Sequence, residues 1–313
     1  MDSKYRIAVF GSGAVGGYFG GRLAEAGAKV AFIARGAHLR ALREEGLRVE
    51  SPAGDFHLGP LRATDDPGDV GPVDVVLVGV KAWQVREAAR AMLPLIGPDT
   101  TVLPLQNGVE ASSELAEALG SGPVLGGLCR IVAAAVAPGV IRHMSVDPVV
   151  TFGELDGRRS ERVAALERAF AAATGVRAEI SDDIQAAMWR KFLFICGMSG
   201  IGAITRVPVG AFRGEPETRA LLRKTMEEIA AVAAARGIDV GENVVDRTLA
   251  FVDGLPADAT ASMHRDIMEG RPSELEYQNG AVVRLGEAAG VETPINRFIY
   301  HSLLPLERRG RIR

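Results

Sequence analysis

Apolar positions along the chain fall into two textures. In the first, unbroken apolar runs alternate with helical spacing: RIAVF (6–10) leads through Gly-rich sequence into a helical pattern ending at Ala26. KVAFIAR (29–35), VDVVLVGV (73–80) and TTVLPLQ (100–106) are further runs. Continuous Val/Ile/Leu runs predict strands buried on both faces, hence a parallel sheet covered by helices. LRVESPAGDFHLG (47–59) predicts two short strands about a turn, and residues 124–154 read as strands with turns at Pro138-Gly139 and Asp147-Pro148. ERVAALERAFAAA is helical, and VRAEI is a last strand. The second texture is helical throughout, over 182–204, 216–236, 241–253, 273–289 and 294–307. The expected fold is α/β: an N-terminal Rossmann-type doubly wound sheet in residues 1–180 and a second, all-helical C-terminal domain in 181–313. Apolar faces on 216–236 and 294–307 suit either a core or a homodimer interface.

Composition narrows the function. With 313 residues, 47% apolar and 24% charged, the chain has the balance of an ordinary globular protein. A net charge of −3 gives a nucleic-acid partner no electrostatic support. Cys129 and Cys196 make no disulfide framework, and the histidines have no ligand spacing, so no metal site is expected. The opening MDSKYR is charged and leads straight into a strand, unlike a secretory signal. No apolar run reaches the roughly 18 residues of a membrane span. The expected location is the cytoplasm.

GSGAVG, comprising Gly11, Ser12, Gly13, Ala14, Val15 and Gly16, follows the first strand and opens a helix. In that context Gly11 permits a tight turn, Gly13 lets a pyrophosphate approach the backbone, and Gly16 packs the helix on the sheet. Gly17, Gly20 and Gly21 keep the helix slim. The alternative is a glycine-rich turn with no ligand. An NAD site usually carries an acid at the end of its second strand. Here Arg35 stands near that position, with His38 and Arg40 beyond it, and no carboxylate lies between Glu25 and Glu44. An arginine suits the 2′-phosphate of NADPH through charge-assisted bonds, the alternative being a plain surface arginine. Lys81 and Gln84 (in VKAWQ) and Asn107 (in LQNGVE) follow two further strands at their carboxyl ends, where cofactors bind in such sheets.

WRKFLFICGMSG (189–200) places Lys191 at the mouth of an apolar helix. Such a lysine either snorkels with its stem on apolar neighbours or serves a cleft as an acid. Ser273 and Glu276 carry a capping-box spacing, which by itself would explain Glu274 as a first-turn acid.

GSGAVG, VKAWQ, the QNG of 106–108, MWRKF at 188–192, SMHRD at 262–266 and RPSELEYQNG at 271–280 together resemble the ketopantoate reductase (2-dehydropantoate 2-reductase) family, in its order and over nearly the whole chain. The resemblance implies a Rossmann domain for NADPH and a helical domain for a 2-oxo acid substrate. It further implies Lys191 as general acid and Glu274 as the active-site carboxylate. Ser262 and Asn107 become substrate-binding residues, and Lys81, Gln84 and Asn107 cofactor contacts. A protonated lysine can donate to the carbonyl oxygen on which charge develops as hydride reaches the carbon.

Helical spacing puts Ile195, Ser199 and Gly202 on the Lys191 face. In well-known ketopantoate reductases, asparagines that bind substrate fall on Ile195 and Ser199, and two more on Val209 and Ala259. His264-Arg265 also replaces a Leu-Gln pair. Losing amides that hold a hydroxyl leaves that group unpaired, at roughly 1–3 kcal/mol each. The sequence therefore predicts ketopantoate or a more apolar 2-oxo acid as substrate. The alternatives are another ketone or imine on the same scaffold, or an NADPH-binding sensor without catalysis.

Overall fold

A computed structural model describes residues 5–312; Met1–Lys4, within the stretch read above as lacking a secretory signal, and Arg313 lie outside the described residues. The described residues form two compact units: one up to Gln106 and from Glu110 to Ile184, the other of Asn107–Val109 with the residues from Gln185 onward.

The first unit begins β1 (Arg6–Phe10), α1 (Ala14–Glu25), β2 (Lys29–Ile33) and α2 (Gly36–Glu44). The predicted hairpin follows as β3 (Leu47–Glu50) and β4 (Phe56–Leu58), then β5 (Ala63–Thr64). Next come β6 (Val75–Val78), α3 (Val85–Ala91), β7 (Thr101–Pro104) and α4 (Ala111–Leu119). β8 (Gly126–Ala137), β9 (Val140–Gly153), α5 (Glu161–Ala171) and β10 (Arg177–Ile180) complete it.

Two sheets result. The first is all parallel, in the order β5-β2-β1-β6-β7. Its order reverses between β1 and β6, the switch point where α/β sheets bind ligands at their strand ends. The second is built on β9, which pairs antiparallel with β8 and, on its other edge, parallel with β3 and β10. α1 packs against strands of both sheets, which is why it must be slim. A Cβ at Gly20 would lie 2.4 Å from Val9 of the first sheet, and one at Gly21 would lie 2.8 Å from Leu47 of the second. Arg22, almost wholly buried on the same helix, stacks on Phe56 and donates to the Gly54 carbonyl at 2.6 Å.

The second unit is mostly helical: α6 (Ile184–Thr205), α7 (Val209–Gly214), α8 (Pro216–Ala235), α9 (Val244–Asp253), α10 (Ser262–Met268), α11 (Asn279–Ala289) and α12 (Pro294–Ile312). α6 starts in the first unit, and beyond Lys191 it is apolar on nearly every side, as a helix enclosed by others must be. The apolar faces of α8 and α12 pack into this unit's core through Met226, Ile229, Ile299 and Leu303. α7 and α10 are too short for their periodicity to stand out in the sequence. The helix expected over 273–289 is broken: Leu275–Tyr277 form a separate 3-10 turn and α11 begins at Asn279. The capping-box reading fails because Glu307 of α12 takes both the Ser273 N–H and its hydroxyl, while Glu276 turns away to Arg284 and Tyr300.

Among the described residues no helix is long and apolar enough to cross a membrane, and no cluster of three or more metal-ligating side chains forms.

Candidate active site

The cofactor candidates of the first unit gather at the switch point. Gly11 adopts φ +92°, a conformation that favours glycine, and a Cβ there would lie 2.6 Å from Val80. A Cβ at Gly16 would lie 2.2 Å from the Gly11 carbonyl. Gly13 differs: nothing lies within 4 Å of where its Cβ would be. Ser12 is buried, its hydroxyl donating to the Ile33 carbonyl at 2.9 Å. Ala14 and Val15 open α1, which has no side-chain cap and no acid in its first turn. With the space beside Gly13 open, this uncapped positive helix end fits a pyrophosphate.

His38 does something the sequence hid. Its Nδ1 accepts from the Gly139 N–H at 3.0 Å, so its Nε2 carries the proton and donates to the Ser12 carbonyl at 2.7 Å. It ties the glycine loop to the β8–β9 turn. Gln106 was also missed: buried, it donates to the carbonyls of Val78 and Val80 at 2.8 and 2.9 Å and fixes the backbone leading to Lys81. The Lys81 N–H in turn donates to Gln84 Oε1 at 3.2 Å, and the Lys81 ammonium lies over the Trp83 ring. Arg35 caps α2, is largely exposed, and lies 3.5 Å from Glu87 of α3.

The remaining candidates belong to the second unit. Asn107, predicted from the end of a sheet strand, packs there: its Nδ2 donates to Glu274 Oε2 at 3.1 Å. Gly108, at φ +108°, completes that turn, and a Cβ there would lie 3.1 Å from the Tyr277 carbonyl. Glu274 is buried, Lys191 half-buried on α6, and Ser262 half-buried in the first turn of α10. Ile195 is half-buried against the core, whereas Ser199 is fully buried and its Oγ has no hydrogen-bond partner within the protein. The sequence had placed Val209 and Ala259 among the changed positions; the Val209 N–H donates to the Ala259 carbonyl at 3.0 Å, so these two changes fall at one place.

Two further polar groups were not singled out for the site. Gln278 is fully buried with neither end of its amide partnered within the protein, directly after the turn that carries Glu274. His264, on α10, is buried against α6, with Nδ1 2.7 Å from where a Gly202 Cβ would sit and no partner for that nitrogen. Burial first, and then the charge of Arg265, hold the His264 imidazole below its usual pKa range. Buried polar atoms without a partner are costly, and a ligand or ordered water relieves that cost. Only the QNG run of RPSELEYQNG could have flagged Gln278.

An open glycine cradle on a doubly wound sheet and, in the helical unit, a lysine and an amide-paired carboxylate suit an oxidoreductase that uses a dinucleotide. Family profiles identify which: "Ketopantoate reductase PanE/ApbA" matches residues 7–157 and its C-terminal counterpart residues 183–307. The chain belongs to the ketopantoate reductase family. It is 32% identical over 306 residues to a 2-dehydropantoate 2-reductase of Halobacterium salinarum, covering 97% of this chain and 100% of that one. The crystal structure of a PanE/ApbA family ketopantoate reductase from Ralstonia eutropha JMP134 is 33% identical, with a TM-score of 0.88 over 98% of this chain and 99% of that one. A ternary structure of D-mandelate dehydrogenase with NADH and anilino(oxo)acetate is 25% identical, with a TM-score of 0.86 over 98% of this chain and 99% of that one.

Proposed function

We propose that the protein reduces a 2-oxo acid to the 2-hydroxy acid with NADPH, using Lys191 as general acid. The observation that carries this reading is the Asn107–Glu274 hydrogen bond, which joins the loop after β7 to a buried carboxylate in the unit that also holds Lys191. The first unit is the cofactor domain, with the α1 N-terminus on the pyrophosphate and Arg35 on the 2′-phosphate. NADPH, when bound, supplies hydride. Lys191 gives its proton to the carbonyl oxygen as charge develops there. Glu274, held by Asn107, orients substrate or lysine, and Ser262 binds the substrate carboxylate.

The substrate is ketopantoate or a 2-oxo acid with a more apolar side chain. Ile195 on the Lys191 face favours the second, and the D-mandelate dehydrogenase likeness is consistent with it, since that enzyme's structure holds an aromatic oxo acid analogue. The test follows NADPH absorbance with ketopantoate and with branched, unbranched and aromatic 2-oxo acids. Lys191→Ala is expected to lower kcat by about 10²-fold or more while NADP⁺ still binds. Turnover that survives this substitution would refute the assigned acid. Cofactor binding with no carbonyl reduced would favour a sensor.

A further inference from the structure

For the adenosine ribose the sequence offers Arg35 first, with His38 and Arg40 beyond it, and no acid after β2 before Glu44. The fold supplies one from elsewhere. Glu87, in the first turn of α3, brings Oε1 to 3.5 Å from Arg35 Nη2, and both side chains are exposed, at 71% and 72%. α3 follows β6, which adjoins β1 on the side away from β2, so the two side chains approach from opposite sides of the switch point.

We infer that Glu87 sets how strongly this site distinguishes the 2′-phosphate of NADPH from the 2′-hydroxyl of NADH. The inference rests on the dinucleotide site proposed above. A phosphate bound by Arg35 must share or displace its carboxylate partner, and two like charges on one guanidinium repel. A ribose hydroxyl meets the opposite situation. It can donate to the Glu87 carboxylate, as it does to the acid that ends β2 in NAD-binding folds. The proposed ribose site thus has one group for each cofactor, with the acid delivered by α3. Because both groups are exposed and screened, the effect is modest, about three- to tenfold in affinity.

The experiment is calorimetric titration of the full-length protein with NADP⁺ and NAD⁺, at low and at physiological salt, for wild type, Glu87→Gln and Arg35→Gln. Glu87→Gln is expected to tighten NADP⁺ and weaken NAD⁺, moving the ratio of dissociation constants by about three- to tenfold and less at the higher salt. Arg35→Gln is expected to move the ratio the other way. The inference is overturned if Glu87→Gln leaves the ratio unchanged or shifts both constants equally while wild type binds NADP⁺. Wild type that binds neither dinucleotide would remove the cofactor reading itself.

Discussion

Gly13 and Gly16 are three residues apart, yet the space about them assigns opposite roles. A methyl at Gly16 would collide with the Gly11 backbone carbonyl at 2.2 Å, and neither group can step aside. Gly16→Ala should cost about 1–3 kcal/mol of stability, seen as a lower Tm without ligand. A methyl at Gly13 meets nothing within 4 Å, so Gly13→Ala should melt as wild type does. It should nevertheless bind NADP⁺ at least about tenfold more weakly, because the methyl occupies the place of the phosphate. Equal Tm losses in the two variants would contradict this division. On α6, Ile195 and Ser199 invite the reverse experiment. Restoring amides with Ile195→Asn and Ser199→Asn together should raise kcat/KM for a hydroxylated 2-oxo acid relative to an aliphatic one by about tenfold or more. An unchanged ratio would mean that these positions do not meet the substrate side chain.

Elements, rather than single residues, hold the glycine loop in place. His38 of α2 spans from the Ser12 carbonyl to the buried Gly139 N–H. His38→Leu leaves that N–H unpaired, at about 1–3 kcal/mol, and should weaken NADP⁺ binding by freeing the loop; calorimetry alongside melting separates the two effects. A variant with normal affinity would show the loop to be rigid without this tie. No pattern in the sequence pairs residue 38 with residue 139, since such pairings depend on how β9 folds back beside β3. What the sequence does carry is anything with a period or a local turn: the parallel strands, the hairpin at 47–59, the length of α6 and the glycine motif. It misleads where a distant partner outbids a local one. Ser273 has a capping spacing to Glu276, but Glu307 takes the serine and the helix starts six residues later, at Asn279. The same limit hid Glu87 beside Arg35 and Asn107 beside Glu274, while the residue types themselves were legible from their motifs.

Each unit holds a group whose folded environment lowers its pKa, one an imidazole and one a carboxylate, so acid should lower stability over two pH ranges. In the helical unit, burial and then Arg265 lower the pKa of His264. The unfolded chain then takes up the proton first, near pH 6.5, and stability falls as pH drops from there to the lower folded value. In the α/β unit, Glu154 is held below the usual carboxylate range chiefly by hydrogen bonds from Arg162, at 2.7 and 2.5 Å, with Ser160 adding another. Its contribution is complete above the unfolded carboxylate pKa and is lost as pH falls through the depressed one. Melting curves from pH 7.5 to 3.5 should therefore show an upper limb of lost stability and a lower one. His264→Leu should flatten the upper limb alone, because the variant has nothing to protonate there. Arg162→Leu should make only the lower limb shallower, because Glu154 then titrates nearer its unfolded value while Asp253, held low by Arg219, keeps its share. If His264→Leu leaves the upper limb as steep as before, another group governs it, and the unpaired nitrogen beside Gly202 is no source of the acid sensitivity.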